Sequence, residues 1–196
     1  MIKHTPYIIE YPGFVNPRTT GEMLQAASPL LKFDPKNTTF DRKNRGYHLG
    51  KWNKSDGIQK LNYEIDKIGK KAFMRYYRDC PLIAYNICPS QGFISNYVYR
   101  FYDKSDYYNW HVDKSPHVDK SGSNIQLVIS FLLYLNDGFG GGDTLFLNDK
   151  LRIKPQNGSV LMFPCGPYFL HKSTKVKYGQ KHVMWNCFGQ RAKTPV

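Results

Sequence analysis

The run Ile125-Gln126-Leu127-Val128-Ile129-Ser130-Phe131-Leu132-Leu133-Tyr134-Leu135, closed by Asn136-Asp137-Gly138, decides the fold. It is a short apolar stretch with β-branched and aromatic members, stopped by turn-forming residues, and it reads as a strand over 125–135. The same texture recurs on both sides. Runs near 93–102, 108–112, 143–147, 159–163, 167–171 and 182–188 are rich in Val, Ile, Tyr and Phe, and each is bounded by Gly, Pro, Asn or Asp. Seven or eight short strands in about a hundred residues, with helices only upstream, give a mainly β protein with flanking helices of the α+β class. The architecture expected is a double-stranded β-helix, or jelly roll, buttressed by N-terminal helices. An immunoglobulin-type sandwich is the alternative, and it leaves the leading helices unexplained.

Upstream, Ile58, Leu61, Ile65, Ile68, Ala72 and Tyr76 recur at steps of three and four, with Ser55 or Asp56 available as N-cap and Pro81 just beyond the end. That spacing predicts an amphipathic helix. A strand at 7–10, a shorter helix at 22–27 and a basic, Asn-rich loop from about Asp34 to Lys54 complete the front part. Repeats, low-complexity tracts and Pro/Gly/Ser linkers are absent. Residues 1–196 therefore read as one domain, with 1–91 as helical support and 92–196 as the jelly-roll core.

Hydrophobic residues make up 41% of the 196, enough for a substantial core. No apolar run approaches the roughly 18 residues of a membrane span, and the N-terminus has no secretory signal, so a soluble, cytoplasmic protein without a membrane partner is expected. Cys80, Cys88, Cys165 and Cys187 form no CxxC pair, which argues against a zinc knuckle or a disulfide framework and for a reducing compartment. The net charge of +13 would attract acidic partners, nucleic acid included. The basic residues are spread from Lys3 to Lys193 without a dense block, and an ordinary solvated surface is the favoured reading.

Chemistry enters with His111-Val112-Asp113. Residues two apart on a strand share a face, so the imidazole and the carboxylate would stand side by side. His171 follows sixty residues later at the end of another predicted strand, where a jelly roll can return it to the first pair. Two histidines and one carboxylate leave three positions of an octahedral ion open, as non-haem Fe(II) oxygenases require. The triplet alone is weak, because His117-Val118-Asp119 repeats it six residues on. That second copy follows Pro116 and leads into Lys120-Ser121-Gly122-Ser123-Asn124, so it reads as surface loop and the first copy is preferred. Gly179 and Lys181 lie eight and ten residues after His171. A strand, a turn and a returning strand would carry Lys181 to the same pocket, where an enclosed ammonium implies an anionic partner. A solvated strand lysine is the equal alternative on local sequence.

These residues, with Leu133-Tyr134-Leu135-Asn136, Gly141-Gly142-Asp143-Thr144-Leu145-Phe146, Gly158-Ser159-Val160-Leu161-Met162-Phe163-Pro164 and Tyr11-Pro12-Gly13-Phe14-Val15, resemble the 2-oxoglutarate and Fe(II)-dependent dioxygenases, in particular the prolyl 4-hydroxylase-like branch. Tyr102, Tyr108 and His111 follow that branch's spacing. The resemblance covers roughly half the chain, in the expected order. It implies that His111, Asp113 and His171 hold Fe(II) and act catalytically, and that Lys181 binds the distal carboxylate of 2-oxoglutarate. It further implies cosubstrate contacts from Tyr134 and Tyr102, and substrate contacts from Tyr108, Trp110 and Trp185, for which core packing is an even alternative. Two departures stand out: Ser105 or a neighbour replaces a glycine between the two tyrosines, and Asp143 replaces a glutamate.

The activity so implied is hydroxylation of a prolyl residue in a peptide or protein, using Fe(II), 2-oxoglutarate and O2, with ascorbate as a candidate reductant, and releasing succinate and CO2. The same chemistry on a nucleobase is the alternative, motivated by charge and aromatic content. A non-catalytic nucleic-acid-binding protein on the same fold is the third reading. The sequence assigns no oligomeric state.

Overall fold

A computed structural model describes residues 1–33, 36–39, 42–50, 55–84, 97–113, 117–118 and 124–191. In chain order these are β1 (Ile2–Lys3), β2 (Ile9–Tyr11), α1 (Pro17–Ala27), a 3-10 turn at Ser28–Lys32, β3 (Lys36–Thr39), β4 (Arg42–His48), α2 (Asp56–Asp79) and the short α3 (Pro81–Ala84). Then follow β5 (Val98–Tyr102), β6 (Tyr107–His111), β7 (His117–Val118), β8 (Asn124–Tyr134), β9 (Gly140–Gly141), β10 (Thr144–Phe146) and β11 (Leu151–Ile153). The chain ends in β12 (Val160–Pro164), a 3-10 turn at Pro167–Phe169, β13 (His171–Ser173), β14 (Val176–Tyr178) and β15 (Lys181–Arg191).

The helix ends follow from local chemistry. Ser55 caps α2 by accepting a hydrogen bond from the Ile58 amide, and the helix stops at Cys80, before Pro81. Its buried stripe of Ile58, Leu61, Ile65, Ala72, Phe73 and Tyr76 follows the three-and-four spacing. In α1 the side chain of Asn16 accepts from the Thr19 amide at 2.9 Å, and Pro17 takes the first helical position. The helix therefore starts five residues ahead of the expected 22, at a cap-and-proline signal that outweighs the apolar spacing.

One large antiparallel sheet runs in the order β1-β2-β12-β8-β15-β5-β4-β6-β13-β10-β11, with β3 on β4 and β7 on β8, and a separate β9–β14 pair. It curls into the jelly-roll shape. Alternation along the long central strands sorts side chains to two sides. Ile129, Phe131 and Leu133 of β8, Val160 and Met162 of β12, and Met184 and Phe188 of β15 pack on the buried stripes of α1 and α2. Their alternates Tyr134, Leu161, Phe163 and Val183 join Phe146 and Ile153 in a second cluster inside the roll. The helices thus cover one face while the roll interior forms the other, and the interior is where a site can open.

Two expectations need correction. The stretch 34–54 is not a loop throughout: β3 and β4 lie in it, and β4 sits between β5 and β6 in the sheet. Front residues thus build the sheet as well as supporting it. The predicted strand at 167–171 is a 3-10 turn, and the strand starts only at His171. Of the strand predicted over 93–102, residues 93–96 lie outside the described residues, and β5 covers Val98–Tyr102.

Candidate active site

The site begins with a cross-strand pair. β6 and β13 run antiparallel with His171 directly opposite His111, and the chain leaving β6 brings Asp113 to the same place. The ligand atoms of His111, Asp113 and His171 all lie within 4.8 Å of one another. His171 Nε2 stands 3.8 Å from Asp113 Oδ2, and the two imidazole rings are 4.2 Å apart at their centroids.

The imidazoles are held in the form a metal needs. His111 Nδ1 donates to the Asn109 carbonyl at 2.8 Å, and His171 Nδ1 donates to the Phe169 carbonyl at 2.9 Å. Each carbonyl accepts a proton from Nδ1, which leaves the Nε2 lone pairs free as ligands. The 3-10 turn explains itself here: it delivers the Phe169 carbonyl to His171, while the Gly166 amide at its start donates to the Asp113 carbonyl at 2.9 Å. Asp113 Oδ2 accepts a 2.6 Å bond from Ser130 Oγ. Burial alone would push the Asp113 carboxyl up, but His171, His111 and the Ser130 hydroxyl outweigh it and hold it below the ordinary value. Burial and the neighbouring His171 lower His111 to about 4, so it stays neutral. Two imidazole nitrogens and one carboxylate oxygen, converging and supported from behind, fit a divalent ion such as Fe(II) with three positions left over.

The triad opens into a narrow cleft lined by Arg100, Tyr102, Tyr108, Leu132, Thr144, Lys172, Ser173, Lys181, Val183 and Trp185 along with the two histidines. Lys181 is buried within it. Its Nζ donates to the Gly142 carbonyl at 2.6 Å and to Ser173 Oγ at 2.9 Å, and no described carboxylate lies within ion-pair distance. Desolvation by that burial lowers its pKa to about 7, against a smaller opposing pull from Asp143. This ammonium lacks a counter-charge, and a ligand carboxylate would supply one.

The other expected residues divide. Tyr102 lies beneath Lys181, with Nζ 5.1 Å from its ring, and Tyr108 stacks on His111 with centroids 3.5 Å apart. Trp185 lines the cleft. Tyr134 stands behind the wall: its hydroxyl is paired with Thr144 Oγ1 at 2.8 Å, and it is Thr144 that lines the cleft. Trp110 is outside the lining, under the Lys172 ammonium at 4.3 Å; it lies between Tyr108 and His111, where the β6–β13 pairing shifts register and brings those two to the cleft. Of the second triplet, His117 and Val118 form a short strand against the start of β8. The side chain of His117 and all of Asp119 lie outside the described residues. Sequence reasoning missed Arg100, Thr144 and Ser173 as lining residues. Strand alternation from Tyr102 and His171 could have found Arg100 and Ser173.

Comparisons with known proteins bear on this geometry. Residues 96–188 match the family model of the 2OG-Fe(II) oxygenase superfamily. A putative prolyl 4-hydroxylase of Acanthamoeba polyphaga mimivirus is 32% identical over 103 residues, covering 46% of this chain and 43% of that protein. The chain therefore spans less than half the length of that curated relative. Among solved structures, the viral collagen prolyl hydroxylase of Paramecium bursaria Chlorella virus-1, in a 2OG complex, is 21% identical with a TM-score of 0.66, covering 94% of this chain and 96% of that one. A prolyl hydroxylase of Trichoplax adhaerens, in complex with a hypoxia inducible factor peptide fragment, is 14% identical with a TM-score of 0.67, covering 95% and 84%. A Pseudomonas putida prolyl-4-hydroxylase is 15% identical with a TM-score of 0.62, covering 94% and 93%. At these identities the solved structures establish the fold, a double-stranded β-helix. Residues 96–188, which carry the site, thus match the 2OG-Fe(II) oxygenase superfamily, and the chain is similar to prolyl 4-hydroxylases.

Proposed function

We propose that this chain is a 2-oxoglutarate-dependent Fe(II) dioxygenase that hydroxylates a prolyl residue of a peptide or protein, converting 2-oxoglutarate to succinate and CO2. The observation that carries the reading is the pairing, in one cleft, of a His-Asp-His triad with a buried lysine that lacks a carboxylate partner among the described residues. Bound Fe(II) and 2-oxoglutarate supply the activation of dioxygen, one atom of which ends in succinate and the other in the new hydroxyl. The chain's residues do the rest. His111, Asp113 and His171 would hold the metal by three ligand atoms. Lys181 anchors the far carboxylate of 2-oxoglutarate and so orients its keto-acid end toward the triad. Tyr108 and Trp185 give the cleft aromatic walls suited to packing a pyrrolidine ring, and the burial of the triad keeps bulk water out.

Adding Fe(II), 2-oxoglutarate and proline-containing peptides to the purified protein should release succinate, and His171→Ala should abolish the release. The same assay with oligonucleotides separates substrates, and turnover with oligonucleotides alone would sink the prolyl reading. No release with any substrate from intact protein would sink the enzymatic one.

A further inference from the structure

We infer that Arg100 makes this cleft selective for substrates that carry a carboxylate beside the reacting ring, either an acidic residue next to the target proline or the free carboxylate of proline itself. The inference rests on the prolyl reading above and names its substrate class.

Arg100 sits on β5, on the same face as Tyr102, and opposite Val183 of β15, just as Tyr102 is opposite Lys181. The β5–β15 side of the cleft therefore carries two cations, about 7 Å apart along the strand direction, while a third lining cation, Lys172, is paired with Asp149. The guanidinium lies 4.7 Å over the Trp185 ring and 5.4 Å over the Tyr108 ring, and Tyr108 in turn stacks on His111. Arg100 is thus fixed at the substrate side of the triad. Stacking on ring faces leaves the in-plane N–H edges of the fork available.

Those edges are poorly used. Arg100 is 9% exposed, and its one hydrogen bond among the described residues is a long 3.4 Å contact from Nη1 to Asn44 Oδ1. No described carboxylate pairs with it. Nearby cations are treated differently: Lys43 meets Asp106 at 3.5 Å, Arg45 meets Asp103 at 3.6 Å and Lys172 meets Asp149 at 2.9 Å. Arg42, also by the Tyr108 ring at 5.7 Å, buries an Nε that has no hydrogen-bond partner among the described residues. A guanidinium cannot shed its charge, so a buried and unmatched one calls for an anion.

The cosubstrate does not supply that anion. Charges on Fe(II) and Lys181 are matched by Asp113 and the two carboxylates of 2-oxoglutarate, one end at Lys181 and the other at the metal. Arg100 is left over. A substrate carboxylate meeting the planar fork edge-on would neutralise it and fix the ring against Tyr108 and Trp185.

The test is calorimetric titration of the protein loaded with Fe(II) and 2-oxoglutarate without oxygen, using two matched pairs of probes. One pair is an end-blocked peptide with Glu or with Gln beside its proline; the other is L-proline and L-prolinamide. In at least one pair the carboxylate member should bind at least about ten-fold more tightly. A preference in the peptide pair identifies an acidic flanking residue, and one confined to the second pair identifies the free imino acid. Arg100→Gln should bring the ratio to within two-fold while leaving 2-oxoglutarate affinity unchanged, and Arg100→Lys should keep part of it. Equal binding of both members of both pairs by the unmodified protein overturns the inference, and this comparison needs no variant to fold. So does an Arg100→Gln protein that loses 2-oxoglutarate affinity with the ratio intact, since Arg100 would then serve the cosubstrate. If no proline compound supports succinate release in air, the prolyl reading fails and takes this inference with it; failure of the inference alone leaves turnover intact with no carboxylate preference.

Discussion

Lys181 is the residue whose environment makes the sharpest demand. Its ordinary pKa of 10.5 is lowered to about 7 because the ammonium is buried, so in the ligand-free protein it is half deprotonated near neutrality. The sign follows. Between about pH 7 and 10.5 the unfolded chain binds this proton and the folded one does not, so ligand-free stability should rise with pH across that window. Binding a carboxylate reverses the preference, and 2-oxoglutarate affinity measured by titration should be greatest below pH 7 and decline as pH rises above it. Lys181→Met should remove this dependence and weaken binding by roughly 50-fold. At the metal, Ser130→Ala deletes the 2.6 Å donor to Asp113 and should cost on the order of 10-fold to 100-fold in Fe(II) affinity, read by metal titration. Much of this residue-scale chemistry was legible beforehand. His111, Asp113, His171 and Lys181 carry a spacing that strand geometry can interpret. Ser130 escaped because its role depends on β8 crossing behind Asp113, and Arg100 because Val98-Tyr99-Arg100-Phe101-Tyr102 reads as a core strand interrupted by one charge.

Among the elements, β4 shows where reading from sequence stops. Arg42-Lys43-Asn44-Arg45-Gly46-Tyr47-His48 lacks apolar alternation, yet it forms a strand because β5 and β6 both offer it backbone partners and Tyr47 reaches the core. Tertiary pairing overrides local propensity. The turn at 167–169 was misread for the opposite reason, since Tyr168 and Phe169 look strand-like while Pro167 and the carbonyl needed by His171 impose a tight turn. Ser105 takes a left-handed φ of 70°, a conformation that favours glycine, which fits the glycine that the family resemblance implies at or near this position. Close packing decides the fate of α2. A methyl group at Gly69 would run into the Tyr97 hydroxyl, a steric cost of about 1–3 kcal/mol against roughly 1 kcal/mol gained in helix propensity. Gly69→Ala should therefore lower the thermal midpoint by about 2–4 °C, with 2-oxoglutarate binding unaffected because α2 packs on the face away from the cleft.

Over the whole molecule, the helices brace one side of a curled sheet and the chemistry occupies the other. No described helix is long and apolar enough to cross a membrane. The +13 charge gives the surface a field that favours acidic partners, and its contribution should fade as salt is raised. Binding of an acidic proline peptide should accordingly weaken between low and physiological ionic strength, while the part due to a desolvated cleft cation persists.

The cross-strand register of His171 on His111 has a mechanical meaning as well. Among the described strands, β13 and those beyond it, β10 and β11, join the sheet through β6 alone, and the link shifts register between His171 and Ser173. A metal bound there would act as a rivet through a hinge. Hydrogen exchange should find the amides of β10, β11 and β13 slow in the metal-loaded protein and markedly faster after chelation, with β8 and β15 unchanged. Loss of iron would then unlatch one wall of the molecule before it unfolds the rest, so that a spent enzyme becomes recognisable to proteases by its loosened edge.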